Sequence, residues 1–298
     1  AFETLALALL HATVSTQISL CTRLTNLNRV SCSVSSATTH TAMLTVISPA
    51  KTLDFDSPLA TEKNTTPDLL VRSEQLITEM RGRSATDLSK LMRISPKLGE
   101  LNAERFQQWQ TPFTPANARQ AILAFRGDVY IGLDADSYTA QDFTFAQKSL
   151  RILSGLYGVL RPLDLIQAYR LEMGTRIATE HGKDLYAFWG DTITKTLSQE
   201  LSRHTNKTVI NLASNEYFKS VQPKALAGNI ITPVFKDYSK GTYKILGFYA
   251  KKARGYMASY IVKNRINKPE ALKEFTTDGY CFNDDFSTDT QWVFTRKA

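Results

Sequence analysis

The sequence predicts a single domain of mixed α+β architecture. Helix-like and strand-like stretches alternate early in the chain, and strand-like runs cluster late. No internal repeat and no linker rich in Pro, Gly or Ser divides residues 43–298. The 298 residues, 43% of them hydrophobic, are enough to fill one sizeable core.

The first half of this domain contains one clear strand and several helices. LTVIS at 44–48 is an apolar run typical of a buried strand. Apolar residues then recur at the helical positions 69, 70, 76, 77 and 80, and Gly82 ends that pattern. Further helices are predicted over 86–93, over 96–109, from Thr114 onwards and over 143–153. Ser95-Pro96 and Thr114-Pro115 favour helix starts, because a capping hydroxyl precedes a proline in each.

The second half combines one long helix with β-rich runs. Residues 184–204 predict an amphipathic helix, and TVINLAS at 208–214 predicts a strand. Residues 229–235 and 243–249 predict the two strands of a hairpin, joined by KDYSKGT. A last strand pair is expected from YCFNDD and QWVFTRK, and a helix from Ala250.

Residues 1–42 differ in composition from the rest of the chain. They hold fourteen Ser or Thr residues and one acidic residue, but no Pro or Gly. We therefore expect an N-terminal extension without a folded role, and a domain that begins at Met43. The alternative is a transit peptide, which is also Ser-rich and poor in acids.

Charge and cysteine content restrict the function classes. A formal net charge of +8 favours an anionic partner, although charge alone indicates only nonspecific attraction. The chain has three cysteines, Cys21, Cys32 and Cys281, and no C-x-x-C pair. We therefore expect a reducing compartment and no disulfide framework. No apolar run reaches the length of a membrane span. His181 and His204 are the domain's only histidines, which argues against a multi-histidine metal centre.

The stretch SGLYGVLRP at 154–162 raises the question of a phosphate-binding turn. Gly155 and Gly158 bracket Leu156 and Tyr157, and Arg161 follows. A turn with two glycines lets backbone amides approach an anion, and a following helix would aim its N-terminus at the same place. The alternative is an ordinary packing turn.

Residues 238–269 form the most basic stretch of the chain. They contain eight Lys or Arg residues, no acid, and six interleaved Tyr or Phe residues. Lys and Arg neutralise phosphates, while tyrosine binds phosphate or stacks on bases. We expect contacts to DNA from five residues of this stretch and five of the glycine turn: Lys251, Lys252, Arg254, Lys263, Arg265, Gly155, Leu156, Tyr157, Gly158 and Arg161. The alternative is a solvated helix face.

A second anion site is a candidate near the first strand. Lys51 follows that strand directly, and Arg119 and Lys219 are further candidates for the same site. The S-x-x-K spacing of Ser48 and Lys51 does not indicate a serine nucleophile, because Pro49 follows a strand and a helix is needed there. We expect no metal site and no cofactor.

Several blocks of the sequence resemble the YaaA peroxide-stress family of bacteria. They are ISPAKTLDF, LMRIS, NARQAILAFRGDVYIGL, LSGLYGVLRPLDLIQAYRLEMG, INLASNEYFKS and FYAKKARG, in this order over residues 43–298. The resemblance implies a cytoplasmic protein that helps cells survive hydrogen peroxide by limiting intracellular iron and Fenton damage. It also implies an unusual fold and DNA binding through a helix-hairpin-helix element, which falls on Gly155–Gly158 here.

Three functions are therefore considered. The leading hypothesis is a peroxide-stress protein that binds duplex or branched DNA through phosphates with little base readout. The rival is an enzyme acting on a phosphorylated or nucleotide-like molecule, with Lys51 and Arg161 as anion clamps in a pocket that also holds Asn211 and Glu216. The third is an iron-handling partner protein without a ligand of its own.

Overall fold

The centre of the fold is a short buried strand flanked by parallel neighbours. In the computed structural model, which describes residues 43–297, β1 (Leu44–Ile47) lies between β5 (Leu150–Ser154) and β8 (Thr208–Leu212). All three strands are buried along their whole length, as expected when both faces of a parallel sheet are covered. The expected extension at 1–42 lies outside the described residues.

The remaining strands extend this sheet or form small pairs. They are β2 (Thr52–Leu53), β3 (Arg119–Gln120), β4 (Phe125–Arg126), β6 (Gly158–Leu160), β7 (Leu165–Ile166), β9 (Asn229–Ser239), β10 (Thr242–Lys244), β11 (Cys281–Phe282) and β12 (Gln291–Arg296). The main sheet has the order β11-β12-β9-β8-β1-β5-β6, with β10 added beside β9. Its inner pairs are parallel, and β6, β10 and β11 pair antiparallel with their neighbours. The expected α+β class is confirmed.

Helices cover the sheet. Those in the described residues are α1 (Leu70–Arg81), α2 (Ala85–Met92), α3 (Pro96–Gln108), α4 (Ala121–Ala124), α5 (Asp128–Leu133), α6 (Ala140–Ser149), α7 (Leu185–Trp189), α8 (Thr192–Ser202), α9 (Asn215–Phe218) and α10 (Gly247–Lys263). Local capping fixes several starts: Ser84 accepts from the Asp87 amide, and Ser95 accepts from the Leu98 amide. The helices expected over 69–82, 86–93 and 96–109 are confirmed by α1 to α3.

Four predicted elements differ from the structure. The helix expected from Thr114 is a turn followed by β3 and the short α4, and the helix expected over 143–153 gives way to β5 after α6 ends. The helix expected over 184–204 is split into α7 and α8 at Gly190, whose φ of 50° a helix cannot continue. The strand expected over 243–249 is shorter, because α10 begins within it.

The predicted helix-hairpin-helix element is not formed at Gly155–Gly158. Residues 150–160 are a β-hairpin, in which β5 and β6 pair with Ile152 opposite Leu160 and Ser154 opposite Gly158. After β6, the next helix in the described part of the chain begins at Leu185. The second strand of this hairpin closes one edge of the main sheet. Gly158, with φ 67°, serves the strand reversal, whereas Gly155 leaves room for the Leu171 carbonyl oxygen.

Two helices pack unusually closely near the basic stretch. A Cβ atom on Gly255 of α10 would lie 1.9 Å from the Val129 carbonyl oxygen of α5. A Cβ on Gly132 of α5 would lie 2.1 Å from the Lys252 carbonyl oxygen. The backbones of α5 and α10 are therefore in direct contact at this crossing. Gly255 and Gly132 allow this close packing because neither has a side chain.

Candidate functional site

The carboxyl edge of the parallel strands is the place where this topology favours a ligand. The chain crosses from β5 on one side of β1 to β8 on the other side, so the strand order reverses at β1. Ligands of open α/β sheets bind at such a switch point, outside the carboxyl ends of the strands. Here the segments 48–51 and 213–216 leave β1 and β8 at this edge.

Lys51 lies at this edge and is paired with a carboxylate. Its Nζ is 2.9 Å from Oε2 of Glu172, and Oε1 of the same carboxylate is 3.1 Å from Nη2 of Arg170. Lys51 is largely exposed, whereas Glu172 and Arg170 are half-buried. One carboxylate therefore holds two cations at the rim of the switch point.

Glu216 is fixed beside this group by its own contacts. Its Oε1 accepts a hydrogen bond from the Gly174 amide at 2.9 Å, and its backbone carbonyl accepts one from the Tyr186 hydroxyl. Ser214 is joined to Ser48 across the two strand ends, since the Ser214 amide donates to the Ser48 hydroxyl at 2.9 Å. The Ser214–Ser48 bond therefore joins the segments after β1 and β8, and Glu216 joins the second of them to Gly174 and Tyr186.

A cluster of buried tyrosines lies under the same edge. The Tyr130 hydroxyl donates to the Ser48 carbonyl oxygen, and the Tyr169 hydroxyl is 2.6 Å from the Ser154 hydroxyl. Burial raises the pKa of Tyr130, Tyr169 and Tyr217 above the ordinary value. These hydroxyls therefore stay protonated at neutral pH and contribute neutral hydrogen-bonding groups.

A cleft of about 330 Å³ opens between this edge and the end of α2. Its lining consists of Leu91, Met92, Arg93, Glu172, Gly174, Thr175, Arg176 and Glu216. Arg93 follows α2 as a left-handed cap with φ 54°, and Arg176 is exposed on the segment after Gly174. Neither arginine forms an ion pair with a carboxylate in residues 43–297. The cleft thus combines two glutamates with two unpaired guanidinium groups.

Two arginines predicted as anion ligands with Lys51, Arg161 and Arg119, do not converge on it. Arg161 follows β6, which runs antiparallel to β5, so it lies at the amino edge of the sheet, opposite Lys51. There it pairs with Asp164 and Asp68. Arg119 is buried and donates to the carbonyl oxygens of Leu123 and Pro58.

Two further residues expected near Lys51 have different surroundings. The Lys219 ammonium lies 4.9 Å from the centre of the Tyr186 ring, close to the Glu216 backbone that Tyr186 binds. Asn211 is buried within β8, where its amide donates to Thr232 and its oxygen accepts from the Ala213 amide. Lys219 therefore remains at this edge, and Asn211 acts inside the strand.

The four residues expected to bring backbone amides to DNA are buried. Gly155, Leu156, Tyr157 and Gly158 have no exposed position in the hairpin turn. The Tyr157 hydroxyl accepts from the Trp109 indole N–H at 3.0 Å, and the Gly155 carbonyl oxygen accepts from the Trp189 indole. DNA contact at this turn stays a prediction, and in this structure the turn packs against the protein interior.

Three cations of the basic stretch have acidic partners. Lys251 is 3.7 Å from Asp128, and Lys263 is 4.0 Å from Asp134. The Arg265 guanidinium donates to Asp142 at 3.1 Å. Asp128 lies in α5, Asp134 directly follows α5, and Asp142 lies in α6. The positive charge of residues 238–269 is therefore partly neutralised by acids from another part of the chain.

The other two predicted cations of α10 have no acidic partner among the described residues. The Lys252 ammonium lies 5.4 Å from the centre of the Tyr256 ring. Arg254 is half-buried, and burial lowers the pKa of its guanidinium. Fewer cations of α10 are therefore available to bind an anion such as DNA than the sequence alone implies.

An aromatic platform lies on the β9–β10 hairpin, defined by Tyr238, Tyr243 and Phe286. Tyr238 and Tyr243 are opposite each other in the register, with ring centres 5.2 Å apart, and Tyr243 is 5.7 Å from Phe286. Tyr238 and Phe286 are 44% and 45% exposed. Lys297 lies over Tyr238 at 5.6 Å and Lys236 over Phe286 at 5.0 Å.

Comparison with known proteins places the chain in a family. Residues 43–286 match the family model described as peroxide stress protein YaaA. The chain belongs to the YaaA peroxide-stress family. It is also similar to two proteins called UPF0246 protein, from Teredinibacter turnerae and Saccharophagus degradans. Each is 60% identical over 255 residues, which cover 86% of this chain and 100% of the relative.

Sequence reasoning anticipated one feature of this YaaA-family protein only in part and missed another. Glu216 was expected in a pocket with Lys51, but Arg93, Glu172 and Arg176, which come from segments far apart in the chain, were not expected in the cleft. The platform combines a local pair, Tyr238 and Tyr243, with the distant Phe286. The alternation of Lys236 and Tyr238 with buried residues along β9 was the available indication.

The described part of this YaaA-family protein offers neither a membrane-spanning helix nor a cluster of metal ligands. No helix within residues 43–297 is long and apolar enough to cross a bilayer. In the same residues, no three His, Cys, Asp or Glu side chains are grouped in a way that could hold a metal ion.

Proposed function

We propose that this peroxide-stress protein binds DNA through the aromatic platform and the lysines around it. Membership of the YaaA family supports the role in peroxide stress. The observation that carries DNA binding is the set of exposed rings of Tyr238 and Phe286 beneath the ammonium groups of Lys297 and Lys236. Proteins that bind single strands use such rings to stack bases and such cations to contact phosphates.

The hairpin presents these groups on a rigid support. Lys240 and Gly241 both have positive φ, as a two-residue hairpin turn requires, and they hold β9 and β10 in register. Lys240 at the tip and Lys244 on β10 add charge to the same hairpin. The exposed Asp284 and Asp285 precede Phe286 and offset part of this charge. Stacking on the rings is therefore expected to contribute a large share of the affinity.

This arrangement predicts a preference among DNA forms. Duplex bases are stacked on each other and are not available to a protein ring, whereas single strands and the junctions of branched DNA expose unpaired bases. We expect single-stranded and branched oligonucleotides to bind more tightly than a duplex of the same length. Sequence preference is expected to be small, because every base has a face on which a ring can stack.

Fluorescence anisotropy with labelled oligonucleotides tests the proposal. Replacement of Tyr238 and Tyr243 by Ala should weaken single-strand binding at least about tenfold, because stacking contributes about 1–3 kcal/mol per base. The matched Tyr238→Phe, Tyr243→Phe variant keeps the rings and should bind like the wild type. Unchanged affinity in the folded alanine variant would refute the platform as the DNA site.

Salt dependence tests the lysines separately. The affinity for DNA should fall as the salt concentration rises. Charge reversal of Lys236 and Lys297 should make this dependence less steep, by about 0.7 in the slope of log affinity against log salt for each phosphate that the protein no longer neutralises. Reversal of Lys97 and Lys195, exposed lysines on α3 and α8, supplies the control. Equal slopes in both variants would contradict the proposed phosphate contacts.

The proposed protection against iron-mediated damage is tested in cells that lack their own family member. We expect wild-type protein to restore survival in hydrogen peroxide and the Tyr238→Ala, Tyr243→Ala variant to fail. Electron paramagnetic resonance measures cellular iron and so separates an effect on the iron level from an effect of DNA binding at the platform. Iron that falls equally with both proteins, together with equal survival, would show that protection does not depend on DNA binding at the platform.

A further inference from the structure

The cleft at the carboxyl edge of the sheet has the composition of a binding site for a small phosphorylated molecule. Ligand pockets in proteins commonly measure about 300–1,000 Å³, so a volume of 330 Å³ suits a small ligand. The cleft lies at the topological switch point, where open α/β sheets bind ligands. It is separate from the aromatic platform, since no residue of the platform lines it.

The arginines of the cleft supply the first part of the chemistry. Arg93 and Arg176 line the cleft and have no carboxylate partner in the part of the chain that the structure describes. A guanidinium group presents several donors in one plane and matches the oxygens of a phosphate group with two parallel hydrogen bonds. Two such groups in one small cleft favour a dianionic phosphate over a neutral ligand.

The glutamates supply the second part. Glu216 uses one carboxylate oxygen, Oε1, to accept from the Gly174 amide, and Glu172 is balanced by Lys51 and Arg170. The Oε2 atom of Glu216 makes no hydrogen bond or ion pair among the described residues. A carboxylate only accepts hydrogen bonds, so it suits a hydroxyl donor and repels a bare phosphate.

We propose that this cleft binds a sugar phosphate or the sugar phosphate part of a mononucleotide. Arg93 and Arg176 bind the phosphate oxygens, and the free oxygen of Glu216 accepts a hydrogen bond from a sugar hydroxyl. Because the arginines bind the phosphate and Glu216 binds the hydroxyl, the ligand is held in one orientation. This site is independent of DNA binding at the platform.

Isothermal titration calorimetry with ribose 5-phosphate, inorganic phosphate and ribose tests the site. Wild-type protein should bind ribose 5-phosphate more tightly than either fragment, because each fragment satisfies only one half of the cleft. Affinities that are equal for ribose 5-phosphate and inorganic phosphate would overturn the role of Glu216. No measurable binding of ribose 5-phosphate would overturn the site.

Arg93→Gly separates ligand binding from folding. The left-handed backbone at Arg93, φ 54°, favours glycine, so this variant should keep or gain stability while it removes donors to the phosphate. We expect the affinity for ribose 5-phosphate to fall about tenfold or more. Arg265→Gly is the control for the backbone change, with φ 51° and no place in the cleft lining, and should leave this affinity unchanged although it loses the ion pair with Asp142. Equal affinity of Arg93→Gly and wild type would overturn the proposal.

Glu216→Gln tests the orientation of the ligand. The glutamine oxygen can still accept from the Gly174 amide, so the local fold should persist. Loss of the negative charge should strengthen binding of inorganic phosphate and weaken binding of ribose 5-phosphate. A parallel change for both probes would contradict the assignment of the sugar hydroxyl to Glu216. Anisotropy with single-stranded DNA should be unchanged in both cleft variants, and weaker binding there would show that the cleft belongs to the DNA site.

Discussion

Arg151 and Glu200 form an ion pair between the centre of the sheet and helix α8, with 2.8 Å between Nη2 and Oε2. Only 3% of the Arg151 side chain and 13% of the Glu200 side chain are exposed. Arg151 also donates to the carbonyl oxygens of Gln147 and Leu150, so its guanidinium is held by three acceptors. The pair joins β5 to α8, and removal of either partner leaves a largely buried charge without its counter-ion.

Glu200→Gln is therefore expected to destabilise the fold. Removal of one partner of a buried pair leaves the other uncompensated and costs about 3 kcal/mol in the free energy of unfolding. Urea denaturation followed by circular dichroism measures this change. Asp191→Asn next to the same helix removes an exposed pair with Lys195 and should change stability by less than about 0.5 kcal/mol. Similar decreases in both variants would contradict the special role of the buried pair.

The same pair predicts a dependence of stability on pH. Burial opposes ionisation of Glu200, but the charge and hydrogen bond of Arg151 outweigh it and lower the pKa below the ordinary 4.5. A carboxyl group with a lowered pKa contributes stability above its unfolded pKa and loses it as the pH falls through its folded pKa. The stability difference between wild type and Glu200→Gln should therefore shrink below about pH 4.5. A constant difference down to about pH 2 would contradict this assignment.

The close contact between α5 and α10 predicts that the methyl group added by Gly255→Ala lowers the stability of the fold. Gly255→Ala would place a Cβ atom 1.9 Å from the Val129 carbonyl oxygen, so the helices must separate. We expect a decrease of about 2–3 kcal/mol in the free energy of unfolding, measured by urea denaturation, since overpacking against backbone cannot be relieved by a rotamer change. Gly247→Ala in the same helix meets no atom within 4 Å and should be neutral or slightly stabilising. A stable Gly255→Ala variant would show that the crossing can open at little cost.

The hairpin turn at Gly155 gives a prediction that separates folding from DNA binding. A Cβ on Gly155 would lie 2.2 Å from the Leu171 carbonyl oxygen, so Gly155→Ala should lower the melting temperature markedly. Anisotropy of the remaining folded protein with DNA should match the wild type, because the turn is buried. Gly82→Ala, whose Cβ has only ordinary contacts, is the control for stability. A stable Gly155→Ala variant with weakened DNA binding would instead support a direct contact at this turn.

Local chemistry explains the parts of the fold that the sequence predicts well. The starts of α2 and α3 depend on Ser84 and Ser95, which cap amides three residues away. β1 is a short apolar run typical of a buried strand, and α1 ends where Gly82 stands. These caps, apolar runs and glycines lie within a few residues of the element that they define. The bounds of these elements can therefore be predicted without knowledge of the tertiary structure.

The candidate site depends on contacts that no local pattern contains. Lys51 meets Glu172 across more than a hundred residues, and the three acids that pair with Lys251, Lys263 and Arg265 come from an earlier part of the chain. A basic stretch without acids in sequence is therefore no measure of free charge in the fold. The glycines of the hairpin show the same limit. Close approach requires them, but the approaching groups are the Leu171 carbonyl at Gly155 and the Trp189 indole at Gly158.

Arg161 provides the test of an anion clamp against a structural role. Its guanidinium donates to Asp164, whose side chain is 1% exposed, and to the Thr66 carbonyl oxygen, and it lies 3.1 Å from Asp68. Arg161→Ala would leave the Asp164 carboxylate buried without its cation, so we expect a decrease of about 3 kcal/mol in the free energy of unfolding in urea. Arg161→Lys keeps the charge but not the planar fork, and should recover only part of this stability. Binding of ribose 5-phosphate should be the same in Arg161→Lys and wild type, because Arg161 lies at the amino edge of the sheet, opposite Lys51. Weaker ribose 5-phosphate binding with unchanged stability would instead make Arg161 a ligand-binding residue.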